Sequence, residues 1–374
     1  MAQTKHAKVS GYKKIAIQRY LLNATVSFCL LGSSCILTSV YADEVYKAEQ
    51  QLLSGLSAIH SLELDSAISN ISDLESSYPK YKLAQLLKAD LLAAKSGQTA
   101  LLRKVHSQNS KVVEKLLSEA EVRWQFSKDN FDSSTGFEDL VLKSAKQKHI
   151  ILVSLQESRL YLFERDAKGQ MSRVADYYVT IGRKGAGKQK EGDLRTPIGV
   201  YHLVDLLPGK TLPDLYGVGA LPLNYPNHWD KAHGKTGSGI WLHGVPSNTY
   251  TRAPKASRGC VVLNNSAMER LLADYQLPFS TPVVIADEKH TGFGFLGGKT
   301  QILSDVKGWL QDNNHQVDWS MVSVYRYPNE KNLYYITFPG KTENTLTHQF
   351  WKRDSDGGWK VVVESHDNIQ VAAK

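Results

Sequence analysis

The chain has 374 residues, which is too long for one ordinary domain and suits two or three. With 42% hydrophobic and 22% charged residues, its composition is that of a folded protein and excludes a disordered or low-complexity chain. The formal net charge of +8 raises the question of nucleic-acid binding.

The distribution of the positive charge argues against a nucleic-acid partner. Residues 1–42 hold five lysines and arginines and no acidic residue, so most of the surplus lies in this short N-terminal segment. The rest of the chain is only mildly basic, and nucleic-acid binding therefore loses its main support.

Residues 1–42 also have the pattern of a secretory signal peptide. A basic stretch ends at Arg19, an apolar stretch runs from Leu21 to Val40, and Val40-Tyr41-Ala42 offers small residues to a signal peptidase. We therefore expect cleavage near Ala42 and export to the periplasm or cell envelope. The alternative is an uncleaved membrane anchor, because the apolar stretch is about long enough to span a bilayer.

Residues 43–146 carry a helical pattern. Apolar residues recur at steps of three and four, for example Leu52, Leu56 and Ile59. Part of this region resembles a tetratricopeptide-type helical hairpin, and the resemblance covers about one repeat and a third helix. A plain helical bundle is the alternative, since isolated repeats are not expected to be stable.

Residues 147–288 have the pattern of a mostly-β domain. Ile150–Val153 and Leu160–Phe163 predict two strands joined by a tight turn, and short strands with glycine-rich loops continue to Ala286. This pattern favours a small sandwich or barrel. Met268–Tyr275 is the one helix predicted inside it.

The last quarter of the chain has a different pattern. Glycines within residues 289–300 predict a linker. Residues 301–374 predict an amphipathic helix over Gln301–Asn313 and four strands that alternate aromatic or β-branched with polar residues. A helix packed on a curved antiparallel sheet is the expected arrangement, which makes the whole chain a multidomain α+β protein.

Cys260 is the one cysteine that follows the predicted signal peptide. In an oxidising compartment a lone cysteine cannot form an intramolecular disulfide. It is then either a small buried hydrophobic residue or a nucleophile or metal ligand, and the count alone does not decide between these uses.

The surroundings of Cys260 favour a nucleophile. Ile240–Leu242 predicts a buried strand that ends at His243, and Ser257-Arg258-Gly259 predicts a turn that leads into the apolar run beginning at Cys260. Two strand ends joined by a short connection can lie side by side. The thiol and the imidazole would then be within reach of each other.

A cysteine–histidine pair of this kind has the chemistry of acyl transfer. A thiol with a pKa of about 8.5 is mostly protonated at neutral pH, and only the thiolate attacks a carbonyl well. His243 can take that proton and later return it to a leaving amine. Main-chain N–H groups around Gly259 and Cys260 would stabilise the oxyanion, and the carbonyl of Gly244 would orient His243.

The segment from His243-Gly244 to Ser257-Arg258-Gly259-Cys260 resembles the signature of the L,D-transpeptidase (YkuD-type) catalytic domain. Thr196-Pro197-Ile198-Gly199 is similar to the family's Thr-Pro-x-Gly turn, and the resemblance covers about residues 149–286. It implies that Cys260 is the nucleophile and His243 its base. It also implies that Ser257, Arg258 and Gly259 form the site wall and oxyanion region, with no metal and no cofactor.

Two positions depart from the family's pattern. Many members have His where this chain has Arg258, and a guanidinium cannot act as a base. We therefore expect Arg258 to bind a substrate carboxylate or the thiolate. Many members also have Arg at the position of Val262, so the family's usual mode of substrate binding cannot simply be carried over to this chain.

The resemblance implies an enzyme that acts on peptidoglycan stem peptides. Cys260 would form a thioester with a tetrapeptide, and an amine would resolve it to give a cross-link or to attach a protein to the cell wall. An L,D-carboxypeptidase or amidase-type hydrolase of the same fold would use the same thioester. The alternative of another class is a non-catalytic cell-wall binding protein. The sequence does not decide the oligomeric state.

Two further expectations concern the C-terminal region and metals. Residues 301–374 resemble a SnoaL-like or nuclear-transport-factor-like cone fold, which implies a binding or assembly module. Its many aromatic residues, Trp309 and Trp351 among them, would form a glycan platform or pack in the core. A metal site made from His228, His233, His243 and Cys260 matches no zinc spacing, and we predict none.

Overall fold

The computed structural model of the protein describes residues 35–128, 133–288, 296–313, 315–342, 344–354 and 356–368. The predicted signal peptide over residues 1–42 lies outside the described residues except for its last part, because helix α1 (Cys35–His60) begins at Cys35. Among the described helices, none combines the length and the apolar character that a membrane crossing needs.

The N-terminal region is helical, as the apolar spacing predicts. Helix α1 is followed by α2 (Leu64–Ser77), α3 (Lys82–Lys95), α4 (Thr99–Gln108), α5 (Ser110–Lys128) and α6 (Ser133–Leu140). The core that joins α1, α2 and α3 contains Leu52, Ile71 and Leu83. A glycine is needed at Gly55 in α1, because a Cβ there would lie 2.4 Å from Ile71 Cδ1.

The central region is rich in short strands. After β1 (Val141–Lys143) the strands are β2 (His149–Ser154), β3 (Arg159–Arg165), β4 (Met171–Tyr178), β5 (Ile181–Gly182), β6 (Gly199–His202), β7 (Leu207–Pro208), β8 (Gly219–Pro222), β9 (Trp241–His243), β10 (Lys255–Ser257), β11 (Val261–Val262) and β12 (Pro282–Ala286). They form a five-stranded sheet in the order β4-β3-β2-β12-β6, a four-stranded sheet in the order β11-β9-β8-β7, and the pair β10-β5.

The two larger sheets of the central region share one hydrophobic core. The side chains of Ile151, Leu162 and Val283 from the five-stranded sheet pack with Leu242 and Val261 from the four-stranded sheet. The neighbouring residues Ile150 and Leu152 face a second core on the other side of the five-stranded sheet. The strand is buried on both faces, which is why its sequence is a continuous apolar run. The predicted mostly-β domain is therefore confirmed.

Two short helices interrupt the strands. Helix α7 (His228–Ala232) follows β8, and α8 (Asn265–Glu269) continues as a π-helical turn over Arg270–Asp274. The second helix starts earlier than the predicted Met268, because the side chain of Asn264 accepts a hydrogen bond from the N–H of Ala267 and so caps the helix there.

The C-terminal region is a helix packed on an antiparallel sheet, as predicted. Helix α9 (Leu296–Asp312) precedes β13 (Ser323–Arg326), β14 (Leu333–Pro339), β15 (Thr345–Arg353) and β16 (Trp359–Asn368). Ile302, Val306 and Leu310 of α9 pack on this sheet. The likeness to a SnoaL-like cone is not confirmed.

The boundary before the C-terminal region differs from the prediction. Helix α9 already begins at Leu296, so the last residues of the predicted linker over 289–300 are helical, and residues 289–295 lie outside the described residues. Strand β1 pairs antiparallel with β13, so the sheet has the order β1-β13-β14-β15-β16. A segment that precedes the central strands thus completes the C-terminal sheet.

The aromatic residues of the C-terminal sheet serve the core. Tyr325, Tyr327, Tyr334, Tyr335 and Trp351 are buried. Trp309, Trp319 and Trp359 pack against the same sheet. Core packing, the second of the two expected uses, is therefore confirmed for the buried residues, because alternate positions along these strands face α9 or the central region.

Candidate active site

His243 and Cys260 stand at the ends of two neighbouring strands. His243 is the last residue of β9, and Cys260 directly precedes β11. These strands are parallel, with Val261 paired to Leu242 and Val262 to His243. Parallel neighbours lie about 4.8 Å apart, so the register brings the thiol and the imidazole to the same part of the sheet.

The imidazole of His243 is held in one orientation by main chain. Its Nδ1 lies 2.6 Å from the carbonyl oxygen of Gly244, which fixes Nδ1 as the protonated nitrogen and leaves Nε2 as an acceptor. Burial lowers the pKa of His243 to about 4, although the hydrogen bond to Gly244 opposes the shift. His243 is therefore a neutral base at neutral pH.

The position of the His243 ring is also restrained by its neighbours. The ring meets that of Tyr216 edge-on, with 5.0 Å between their centroids. The N–H of Gly244 donates to the carbonyls of Tyr216 and Gly219, and the N–H of Val245 donates to Asn265 Oδ1 at 3.0 Å. A Cβ at Gly244 would lie 2.2 Å from that same oxygen, so the residue after His243 must be glycine.

The thiol of Cys260 is half-buried and lies 3.4 Å from the carbonyl oxygen of Gly239. Burial raises the pKa of Cys260, while the N–H of Trp241 and the charges of Lys188 and Arg252 act in the opposite direction. The net shift is upward, so the resting side chain is a thiol. Its proton must move to His243 before the sulfur can attack a carbonyl.

Lys188 and Arg252 are the cations that act on Cys260, and sequence analysis did not single them out. The Lys188 ammonium is buried and lies 3.0 Å from Asp193 Oδ1. Arg258, which we expected to pair with the thiolate, is exposed and is not among the groups that shift the pKa of Cys260. The expected thiolate contact of Arg258 is therefore wrong, and a substrate-carboxylate role remains a prediction.

The turn before Cys260 is tied together by Ser257. Its hydroxyl donates to the carbonyl oxygen of Cys260 at 2.6 Å and accepts from the N–H of Gly259 at 3.0 Å. The hydroxyl of Thr196, in the Thr-Pro-x-Gly turn, donates to the carbonyl oxygen of Gly259 at 3.0 Å. Ser257 thus shapes the loop that presents the sulfur.

One of the two expected oxyanion donors is already engaged, and the other is free. The N–H of Gly259 is already used by Ser257, and the N–H of Gly244 is used by Tyr216 and Gly219. Within the described residues, the main-chain N–H of Cys260 donates to no acceptor. It is the donor that remains free for an oxyanion at this turn. Gly244 instead orients His243 through its carbonyl, and Gly259 gives the turn its backbone conformation.

Glycine is required at position 259 on two grounds. Its φ of +131° lies in a region that residues with a Cβ rarely adopt, and a Cβ there would lie 2.8 Å from the carbonyl oxygen of Arg195.

Val262, the other departure from the family's pattern, is buried and exchanges main-chain hydrogen bonds with Thr180. This position therefore supports the sheet and cannot replace the missing guanidinium.

The loop histidines that precede β9 do not join His243 and Cys260. His233 stacks on Trp229 with 3.8 Å between ring centroids, and its Nδ1 lies 2.8 Å from the Trp229 carbonyl. His228 Nε2 lies 3.1 Å from Asp367 Oδ2, on the C-terminal sheet. A metal site made from His228, His233, His243 and Cys260 is thus not formed.

Comparison with protein-family models places this site in a known domain. Residues 148–285 match the YkuD family, described as the L,D-transpeptidase catalytic domain. The resemblance inferred from the sequence is thereby confirmed for this part of the chain. The matched residues contain both His243 and Cys260, and they support a peptidoglycan-modifying enzyme of the L,D-transpeptidase fold.

Solved structures show a more distant likeness, and comparison with curated proteins finds no match. The chain is 23% identical to a variant of the helical cell shape determining protein Pgp2 from Campylobacter jejuni, with 62% of this chain and 96% of that chain covered and a TM-score of 0.48. The chain is 23% identical to Bdellovibrio bacteriovorus Bd1075, with 62% of this chain and 98% of that chain covered and a TM-score of 0.44. It is 20% identical to an L,D-transpeptidase fragment from Xylanimonas cellulosilytica, with 38% of this chain and 62% of that chain covered and a TM-score of 0.25. At these values the likenesses carry no functional argument.

Proposed function

We propose that the protein is a cysteine L,D-transpeptidase that acts on peptidoglycan stem tetrapeptides through a thioester on Cys260. The proposal starts from the YkuD catalytic domain over residues 148–285. The observation that carries it is the neutral imidazole of His243, which the Gly244 carbonyl orients beside the strand that Cys260 directly precedes. This arrangement supplies a base with a free Nε2 for a thiol that needs one.

The first half-reaction transfers an acyl group to the enzyme. His243 Nε2 takes the thiol proton, and Cys260 Sγ forms a bond to the carbonyl carbon before the terminal D-residue. The Cys260 N–H donates to the oxyanion of the tetrahedral intermediate. When the C–N bond breaks, the imidazolium returns its proton to the leaving amine, the free D-residue departs, and a thioester remains.

The second half-reaction decides which product forms. His243 removes a proton from an incoming amine, whose nitrogen attacks the thioester and displaces the Cys260 thiolate, which is reprotonated. An amine from a second stem peptide gives a cross-link, and an amine of a wall-attached protein gives a tethered protein. Water in the same place gives an L,D-carboxypeptidase or an amidase-type hydrolase.

Incubation with purified muropeptides tests the function. We expect the wild-type protein to release the terminal D-residue from tetrapeptides, and Cys260→Ala to release none above background. Mass spectrometry of the products, with and without an added D-amino acid or diamino-acid amine, separates transfer from hydrolysis. Equal cell-wall binding by both proteins with no product from either would instead support the non-catalytic alternative.

The titration of Cys260 gives a prediction about reactivity. Because burial raises the pKa of the thiol, the thiolate fraction and the alkylation rate by iodoacetamide should rise about tenfold per pH unit from pH 6 to above about 8.5. Peptide mapping by mass spectrometry follows Cys260 separately from Cys29 and Cys35. A rate that is already maximal at pH 6 would show a preformed thiolate–imidazolium pair and contradict the neutral resting state.

The site of action follows from the proposed substrate, which lies outside the cytoplasm. We propose that the chain is exported by the signal in residues 1–42 and cleaved near Ala42. A mature protein that begins near Asp43 is the expected result of N-terminal sequencing after expression with its signal. A mature protein that retains residues 1–42 would favour the uncleaved anchor.

A further inference from the structure

A second cluster of chemically active side chains lies between the central region and the C-terminal sheet. His228 is the first residue of α7, His348 belongs to β15 and Asp367 to β16. One ligand atom from each of the three lies within 4.8 Å of the other two. His228 and Asp367 are 139 residues apart in the sequence, which is why no spacing pattern revealed the cluster.

His348 has an unused nitrogen that faces this cluster. The side chain is buried, and its Nδ1 lies 2.6 Å from the Tyr335 hydroxyl. Its Nε2 is 3.4 Å from Asp367 Oδ2 but makes no hydrogen bond. A buried nitrogen without a partner costs about 1–3 kcal/mol, so its orientation toward the carboxylate calls for a further ligand between them.

The helix that carries His228 is held in place by the side chain that precedes it. The side chain of Asn227 accepts a hydrogen bond from the N–H of Asp230, which caps α7 and fixes His228. Asn227 Nδ2 also donates to the Val200 carbonyl and to the Tyr327 hydroxyl, which lies on the C-terminal side. Such a support lets a site form without rearrangement of the backbone.

The pairing of β15 with β16 directs the other two ligands to one face. Asp367 is paired with Leu346, two residues before His348. Positions two apart on a strand share a face, so the carboxylate and the imidazole lie diagonally on the same side of the sheet. His228 reaches this face from α7, with its Nε2 3.1 Å and 3.2 Å from the two carboxylate oxygens.

We propose that His228, His348 and Asp367 bind one divalent transition-metal ion, with zinc as the best match. Two imidazole nitrogens and one carboxylate oxygen are a typical ligand set for Zn²⁺, which takes such atoms at about 2.0–2.2 Å. The Tyr335 hydroxyl accepts the Nδ1–H of His348 and so directs Nε2 toward the ion, as outer partners of metal-binding histidines do.

The surroundings leave room for a fourth ligand. His348 and Asp367 line a cavity of about 790 Å³ between the central region and the C-terminal sheet. A water molecule can complete the coordination from this side. The ring of His202 also lines the cavity and stacks with that of His348 at 6.3 Å between centroids. The bound ion would tie α7, which precedes the catalytic strand β9, to the C-terminal sheet.

Zinc titration of the full chain tests this site. Because Cys260 and His243 can themselves bind zinc, the protein carries Cys260→Ala and is treated with a chelator before calorimetric titration with zinc chloride. We expect one ion per chain and a higher melting temperature when zinc is present. His348→Gln and Asp367→Asn should each weaken binding by about tenfold or more. Magnesium chloride should give no binding, because Mg²⁺ prefers oxygen ligands.

A matched control is available on the same strand. His366 is adjacent to Asp367 and is exposed, and His366→Gln should leave zinc affinity unchanged. Tyr335→Phe removes the outer hydrogen bond and should weaken binding by about 10–100-fold. Cobalt in place of zinc should show visible d–d bands without thiolate charge transfer, which identifies nitrogen and oxygen ligands.

Three results would overturn the proposal. They are no zinc binding by the Cys260→Ala protein, unchanged affinity after Asp367→Asn, or an equal loss with His366→Gln. Asp367 is about two-fifths exposed, so Asp367→Asn tests the site even if the buried His348→Gln fails to fold. Circular dichroism without metal confirms the fold of each variant. None of these results depends on the proposed transpeptidase activity, because Cys260 is absent throughout.

Discussion

Replacing His243 with Asn should lower the rate of D-residue release from a tetrapeptide by about 10²–10⁴-fold. The resting sulfur is a thiol whose pKa is raised by burial, so the reaction depends on a base that removes its proton. Asn keeps a polar side chain at the end of β9 but cannot accept and return that proton. Steady-state kinetics with a defined muropeptide measures the loss.

The control for this substitution is His233→Asn. His233 lies in the same part of the chain, where its ring packs on that of Trp229. Its replacement should leave the rate within about twofold of wild type, since surface substitutions change little. The dependence of the wild-type rate on pH tests the same role of His243. Because burial lowers the pKa of His243 to about 4, activity should persist down to mildly acidic pH and fall only as the imidazole becomes protonated near pH 4. An acid limb near pH 6.5 would contradict a buried neutral base.

Replacing Arg123 with Met should lower the free energy of unfolding by about 3–5 kcal/mol, because it leaves the buried carboxylate of Glu119 without its cation and Glu49 with Arg159 alone. Arg123, on α5, is 4% exposed and pairs with Glu49 of α1 and with Glu119, whose Oε1 is 3.0 Å from Arg123 Nη2. Glu49 is also 2.5 Å from Arg159 Nη2 on β3. This cluster therefore joins the helical region to the central sheet.

Denaturant unfolding of Arg123→Met and of the matched variant Arg103→Met measures the effect. Arg103 is exposed on α4, and its replacement should change stability by no more than about 0.5 kcal/mol.

Burial alone would raise the pKa of Glu49, but Arg123 and Arg159 hold it below its usual value. The stabilisation from Glu49 is therefore present above about pH 4.3 and is lost as the pH falls through its lower folded pKa. A decrease of less than about 1 kcal/mol in the free energy of unfolding of Arg123→Met would show that the cluster does not stabilise the fold as proposed.

The same cluster reaches the loop that carries Arg252. Thr251 donates to Glu119 Oε1 at 2.8 Å, and the ring of Tyr250 packs on that of Tyr81, which directly precedes α3, with 4.6 Å between centroids. Arg252 is one of the two cations that oppose the upward pKa shift of Cys260. The helical region thus stabilises a loop that shapes the electrostatics of the active site, and loss of Arg123 should also reduce activity.

The features that the sequence predicts well are those carried by local patterns. The apolar runs of β2 and β3, the helical spacing of α1 to α3, and the strand that ends at His243 all depend on residues close in sequence. The pair of His243 and Cys260 could be inferred because a short connection joins their strands. The orientation of His243 by the Gly244 carbonyl follows from an adjacent residue.

The features that the sequence does not predict depend on contacts between distant segments. Strand β1 joins the C-terminal sheet by pairing with β13, and no local pattern assigns a three-residue strand to a sheet. Lys188 and Arg252 act on Cys260 from separate loops, while Arg258, the nearest cation in sequence, points to solvent. The N–H of Gly259 is used by a side chain two residues away, so its availability depends on a rotamer of Ser257.

Intact-mass analysis of the acyl-enzyme tests the central claim most directly. Wild-type protein is mixed with a stem tetrapeptide, quenched in acid within the first turnover and digested for peptide mapping. We predict an added mass equal to the tetrapeptide less its terminal D-residue, located on Cys260, labile to hydroxylamine and absent from Cys260→Ala. Release of the D-residue with no adduct on Cys260, or with undiminished rate in Cys260→Ala, would contradict the thioester mechanism.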